Sequence, residues 1–311
     1  MFDVKGVKAA FATLVMTFSL LLFLTPLNGV GLAEEAGSQA KKSTMKTSEE
    51  VSKGAVEKEK KKAEDIKKEL NKKAIEAVAN TYKVLELLNQ NKPKEALDLL
   101  KNVIGELEVV LAANKDVALV PINIYTVIVD TDMDAKQIAA ALKEVKRLLN
   151  DGDVQAARKL LDTLQSEIDI VTENLPLATY PDAMKLASKY IVDGKIEQAK
   201  SVISIALNSM VIKTIVIPLP LVRASDLIAE ASKIAKKDKE QALKYLKEAE
   251  KQLNIAKILG YGKADSEVYK DFEKRIEAIK KEIKGKNKAE KMFEEILQKL
   301  KEFKKKLAKS Q

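Results

Sequence analysis

Apolar residues fall at helical spacing through most of this chain, and the breaks in that period are as informative as the period itself. Ile75, Val78, Tyr82, Leu85 and Leu88 form the first stripe wide enough to bury. A ten-residue pattern follows and then recurs. Residues 91–100 align with 152–161, 194–203 and 237–246, and the marker alanines Ala96, Ala157, Ala199 and Ala242 are 61, 42 and 43 residues apart. Each copy follows one apolar-periodic helix and opens another. Val145, Leu148 and Leu149 precede the second copy, Met184, Ala187 and Ile191 the third, and Leu227, Ile228, Ala231 and Ile234 the fourth. This is the pattern of a helical hairpin: a short turn reverses the chain, and a small alanine lets the returning helix pack closely.

The stretches between hairpins also recur. Residues 117–129 contain Pro121, 168–177 contain Pro176, and 211–221 contain Pro218 and Pro220. Val/Ile runs bounded by proline favour extended chain, because proline pushes its predecessor into the β region. They predict either one small sheet or separate extended connectors. The fourth hairpin ends instead in Leu259-Gly260-Tyr261-Gly262. Two closing helices are marked by Val268, Phe272, Ile276, Ile279 and Ile283, and by Phe293, Ile296, Leu300, Phe303 and Leu307, with Gly285 between them. The predicted fold is mainly α: repeated helical hairpins in a bundle or solenoid-like array. Short extended segments near 117–129, 168–175 and 211–217 are candidates for a small β-sheet.

The pattern changes at the N-terminus. Lys5 and Lys8 precede an uncharged, mostly apolar run at 9–24; Pro26 and Gly29 break it. Gly31 and Ala33 then place small residues at −3 and −1 of a cut between Ala33 and Glu34. Residues 1–33 read as a secretory signal peptide, with retention as an anchor the alternative; the run is shorter than the ~20 apolar residues a spanning helix needs. Residues 34–71 read as a charged linker and helical extension, partly disordered. Within them Val51, Ala55, Ala63, Ile66 and Leu70 make a thin stripe suited to a lone charged helix that frays at its start. The folded helical domain is expected over 72–311. Export from a two-membrane bacterium would place it in the periplasm.

Composition narrows the chemistry. The chain has no cysteine and no histidine, which removes disulfides, thiol chemistry, His-ligated metals and Ser–His pairs. The net charge of +9 resolves into +1 for residues 1–33, +3 for 34–73, +6 for 281–311 and −1 for 74–280. The basic excess thus sits on two Lys-rich flanks, read as solvated helix faces or as surfaces for an anionic lipid or polymer. Nucleic acid is not an expected partner, since cations are not gathered on the core.

The candidate motifs are weak. Asp130, Asp132 and Asp134 resemble the opening of a calcium loop, but Ala135 and Ala141 stand where glycine and a bidentate glutamate are needed. Asp134 reads as the N-cap of a helix starting at Ala135, with a weak cation site as the alternative. Gly260-Tyr261-Gly262-Lys263 lacks the upstream glycine and following hydroxyl of a phosphate loop, and reads as a helix cap plus turn. Carboxylate pairs such as Glu49/Glu50 and Glu294/Glu295 are adjacent on helices and so do not face each other. No catalytic residue, cofactor site or metal site is assigned, and the chain is not expected to be an enzyme.

The order of several motifs carries a resemblance. A signal-like start precedes Asp151-Gly152-Asp153-Val154-Gln155-Ala156-Ala157-Arg158-Lys159-Leu160-Leu161. Asn174-Leu175-Pro176-Leu177, Ile217-Pro218-Leu219-Pro220-Leu221 and Leu259-Gly260-Tyr261-Gly262 follow in turn. This order resembles the YfdX family of exported bacterial proteins over about residues 72–307. The resemblance implies a role in stress responses, including heat and acid tolerance and drug resistance, with chaperone-like behaviour. It brings no catalytic residues. The Lys/Glu-rich extension and the Lys-rich C-terminus depart from it. The resulting expectation is a periplasmic stress-tolerance protein that binds proteins, either stressed clients or further copies of itself, as an ATP-independent holdase. The alternative is a non-catalytic envelope tether that binds anionic surfaces through its Lys-rich flanks.

Overall fold

The computed structural model describes residues 46–66, 70–114, 117–262 and 267–309. The proposed signal peptide and its cut at Ala33/Glu34 lie outside the described residues. In chain order the elements are α1 (Ser48–Ile66), α2 (Lys72–Asn89), α3 (Pro93–Ala113), β1 (Leu119–Val129), α4 (Ala135–Asn150), α5 (Val154–Leu161) and β2 (Glu167–Pro176). They continue as α6 (Tyr180–Val192), α7 (Ile196–Leu207), β3 (Val211–Pro218), α8 (Leu219–Ile234), α9 (Lys239–Ile258), α10 (Glu267–Lys284) and α11 (Glu290–Lys309).

All four copies of the ten-residue pattern are helical hairpins: α2/α3, α4/α5, α6/α7 and α8/α9. Ala96, Ala157, Ala199 and Ala242 are fully buried in them. The residue five before the alanine is Asn91, Gly152 or Gly194 in the first three copies, and each takes a positive φ of 58°, 78° or 74°. The turn then closes as a helix C-cap, with the amides of Lys92, Asp153 and Lys195 donating back to the carbonyls of Leu87, Leu148 and Tyr190 at 2.8–2.9 Å. The fourth copy has Lys237 at this place and turns without a left-handed residue; the Asp238 amide donates to Ile234 instead. Gly152→Ala is expected to cost about 1 kcal/mol. An added Cβ would meet nothing within 4 Å, so the loss is one of backbone strain alone, read as a lower urea midpoint.

The three extended segments pair into one antiparallel sheet of order β1-β2-β3. Its register shifts once, between Pro121 and Asn123, where proline has no amide to give the ladder. Cross-strand partners define two faces. Ile124, Ile168, Ile170 and Ile217 lie on the inner one, with Ile124, Ile168 and Ile170 buried. Tyr125, Val127, Val171, Asp169, Glu167 and Ile212 lie on the outer one.

Two large apolar clusters accompany the sheet. The first gathers α2, α3, α6 and α7 around Val84, Leu100, Leu107, Tyr180, Met184 and Ile203. The second gathers α8–α11 around Leu227, Leu246, Phe272, Ile276, Phe293 and Leu300. In it Tyr269, Phe272 and Phe303 meet edge to face, with ring centres 5.6–6.4 Å apart. The smaller α4/α5 hairpin packs through Ile138 and Val145 near Ile255 and Ile258 of α9.

Helix α1 departs from the sequence expectation. It is not solitary: Val51, Ala55 and Val56 are buried, and the helix packs along α8. Its start is capped rather than frayed. The Glu50 amide donates to the Thr47 hydroxyl at 3.1 Å and the Thr47 amide to the Glu50 carboxylate at 2.7 Å, a reciprocal capping box. No helix among the described residues is long and apolar enough to cross a membrane.

Candidate functional site

One end of the sheet collects polar groups from four distant parts of the chain. β1 runs out into Asp130, Ser166 leads into β2, and β3 passes directly into α8, whose first turns carry Arg223. The Asp130 carboxylate accepts from the Ser166 hydroxyl at 2.7 Å and from Arg223 through both of its oxygens, one bond at 3.2 Å. The Ser166 amide donates to the Tyr261 hydroxyl at 2.9 Å, and the Ser166 carbonyl accepts from the Leu219 amide, also at 2.9 Å. Tyr261 is fixed in turn by the Tyr269 hydroxyl, which donates to its carbonyl. Gly262 holds this loop close: at φ +81° its would-be Cβ lies 2.9 Å from the Phe303 ring, so a larger residue would strain the backbone and push that ring aside. A bidentate arginine–carboxylate pair with a serine on the same acid is a rigid clamp. Its hydroxyl and its carboxylate are both committed to each other and to Arg223, which leaves neither as a free nucleophile or base.

Beside the clamp, Glu167 and Asp169 project together on the outer face of β2. Burial pushes the Glu167 carboxyl above its usual range, with the Tyr261 hydroxyl pulling the other way and Asp169 adding to the rise. Burial alone pushes Asp169 up, and its Oδ1 is buried without a hydrogen-bond partner. The Tyr261 phenol is raised far above its ordinary value, first by burial. A carboxyl with a raised folded pKa holds its proton better folded than unfolded. Its ionisation therefore costs stability as pH rises through the folded value. Asp169→Asn is expected to be more stable than the parent at pH 7, by about 0.5–1 kcal/mol given its partial exposure. That advantage should shrink as pH falls toward the ordinary aspartate range, which thermal melts at pH 7 and pH 4 would measure.

Next to the clamp a cavity of about 710 Å³ opens between α1 and the β1–α4 loop, with Ser48, Ser52, Asp130, Asp132, Arg223 and Gln252 among its lining. A second groove of about 570 Å³ lies between α10 and α11, where Lys270, Lys274, Lys299 and Lys306 alternate with Glu267, Asp271 and Glu302.

The acidic triplet read from the sequence is divided among three tasks. Asp130 is held by Arg223 and Ser166. Asp132 faces the cavity. Asp134 caps α4, accepting from the amides of Lys136 and Gln137 at 2.8 and 2.9 Å. Among the described residues no group of three or more acidic side chains could hold a metal ion. Glu49 pairs with Lys53 and Glu295 with Arg275, so the adjacent carboxylates face different partners. Gly260 caps α9 at φ +87°, while Lys263 lies outside the described residues. The Lys-rich C-terminal flank is not wholly a solvated face. Lys304 is half-buried near Glu59 and Asp226, and burial lowers its pKa.

The clamp was not foreseen from the sequence. Its one local signal is Arg223 itself, one of four arginines among 55 basic residues, set inside the apolar run 219–224. A chain that otherwise uses lysine spends arginine where a planar, two-toothed donor is needed.

The YfdX protein family model matches residues 77–216. Those residues, a little under half of the chain, are similar to the YfdX family. The YfdX segment runs from within α2 into β3 and contains three of the four hairpin turns. It is shorter than the resemblance read from the sequence, since 217–221 and 259–262 lie beyond it. Asp130 and Ser166 are inside it; Arg223 and Tyr261 are outside. The clamp therefore ties the YfdX segment to the helices that follow it. A solved structure of Salmonella Typhi YfdX aligns at 16% identity and a TM-score of 0.34, covering 48% of this chain and 93% of its own. No curated protein matches the chain.

Proposed function

We propose that this is an exported stress-tolerance protein that acts by binding other proteins, as an ATP-independent holdase in the periplasm. The observation that carries the reading is the outer face and free edge of the sheet. Tyr125 and Val127 on edge strand β1 are 44% and 40% exposed, and Ile212 on β3 is 55% exposed. Residues 117–129 hold no charge. Natural edges are commonly blunted by charge, proline or bulges. Here the only such features are Pro121 and the register shift beside it, near the start of the strand. From Asn123 onward β1 offers unpaired backbone groups beside apolar side chains, which suits an extended segment of an unfolded chain. The family of the YfdX segment supports the stress role, and a binder that needs no nucleotide suits a compartment without ATP.

The test is light scattering of a heat-denatured client with the mature protein at equimolar ratio. Aggregation should slow, and Tyr125→Lys combined with Val127→Lys should abolish the protection while leaving the helical signal intact. Unslowed aggregation by the parent protein would sink the reading. Salt-sensitive capture on anionic vesicles, lost on removal of 281–311, would point instead to the tether.

A further inference from the structure

The outer face of the sheet carries charge of one sign. Glu167, Asp169 and Glu173 follow one another along its central strand, where they face Val129, Val127 and Asn123 of β1. The one basic residue of the three strands, Lys213, pairs with Thr172 and so lies on the inner face. None of the three acids has an ion-pair partner among the described residues. Glu167 meets the Tyr261 hydroxyl, which is uncharged, and the Asp169 Oδ1 is buried without a hydrogen bond. All three acids are half-buried, while Tyr125 and Val127 on one side and Ile212 on the other stand exposed. The charge therefore lies recessed between apolar rails, one strand behind the free edge.

We propose that the β1 edge selects its clients by charge, taking extended segments that carry lysine or arginine on the outer face and apolar residues on the inner one. The inference rests on the role proposed above for that edge, and adds what the edge recognises. A segment paired with β1 becomes a fourth strand, two strand spacings of about 4.8 Å each from β2. Lysine and arginine can cross the strand between, laying their stems along Val127 or Val129 while the charged head meets Asp169 or Glu167. A client glutamate at the same place would be set toward like charge. Opposite Tyr125 the residue behind is Val171, so an apolar side chain fits there. Running from Val129 to Asn123, the favoured order on the outer face is cation, cation, apolar, cation. Ion pairs beside an apolar, partly desolvated surface are stronger than pairs in open water, so half-buried acids discriminate better than exposed ones.

The probes are two fluorescent peptides, Lys-Val-Lys-Val-Val-Val-Lys between Gly-Ser flanks and the same peptide with glutamate for every lysine. Both are titrated by anisotropy against the mature protein and against Glu167→Gln/Asp169→Asn/Glu173→Gln. The lysine peptide should bind the parent about tenfold more tightly than the glutamate peptide. Neutralising the three acids, or raising the salt, should narrow that preference to about threefold or less. Equal binding of the two peptides to the parent overturns the inference, as does a preference that survives in the neutral variant. If the triple variant does not fold, Asp169→Asn alone decides: a preference cut by about twofold supports the inference, and an unchanged one overturns it. Binding of neither peptide also overturns it, and the light-scattering assay then tells the two readings apart. Client protection that persists keeps the holdase without a charge preference, whereas protection that is absent removes both.

Discussion

Arg223→Ala is expected to lower the unfolding free energy by about 2–3 kcal/mol. The substitution leaves the Asp130 carboxylate with only Ser166 and removes the link between the end of β1 and the start of α8. The side chains of Arg223 and Asp130 are 20% and 35% exposed, which places the cost below that of a fully buried pair broken on one side. Arg223→Lys should recover only part of it, because an ammonium cannot grip both carboxylate oxygens in one plane. Urea titration followed by circular dichroism measures both. A loss under 0.5 kcal/mol for the alanine variant would show that the clamp is ornamental. Because the clamp joins the YfdX segment to α8–α11, the variant should also broaden the transition, as the two clusters begin to unfold separately.

Phe272→Ala is expected to have the larger effect, about 3–5 kcal/mol, or roughly 10 °C in Tm for a unit of this size. Phe272 is fully buried and meets both Tyr269 and Phe303 edge to face. Its removal leaves a void that two neighbouring rings cannot fill without leaving their rotamers. The damage reaches the clamp as well: Tyr269 fixes the Tyr261 carbonyl, and Phe303 lies against Gly262. Differential scanning calorimetry would give the Tm, and weakened amide protection at Ser166 would report the transmitted loss. Phe272→Leu should retain most of the stability, which separates ring volume from ring geometry.

What was legible in the sequence was whatever is encoded locally. The hairpins could be read because Ala96, Ala157, Ala199 and Ala242 sit at one fixed distance from a turn. The strands could be read because proline and β-branched residues act on their own backbone. Asp134 could be read as a cap because its partners are two and three residues away. That the three runs join one sheet, rather than lying apart, is a tertiary fact that no local pattern decides. The clamp is non-local: Asp130, Ser166, Arg223 and Tyr261 are separated by 36–95 residues at each bond, and no spacing rule connects them. The packing of helix α1 escapes a local reading for another reason. Its Lys/Glu density hides a buried face that includes Val51, Ala55 and Val56, set against α8 and the sheet. The half-buried Lys304 was hidden in the same way, as one more lysine in a basic run.

The sheet has a consequence for the order of events during folding. Val129 must find Glu167, and Asn174 must find Val211, across long stretches of chain. Closing such loops from a random coil is slow and entropically costly. Here each intervening stretch is itself a helical hairpin with its own turn, and helices form within microseconds. Once α4/α5 and α6/α7 have folded back, the ends of successive strands emerge side by side, and each distant pairing becomes a short search. The hairpins thus act as pre-tied knots in the string, and the sheet is the last thing they draw together.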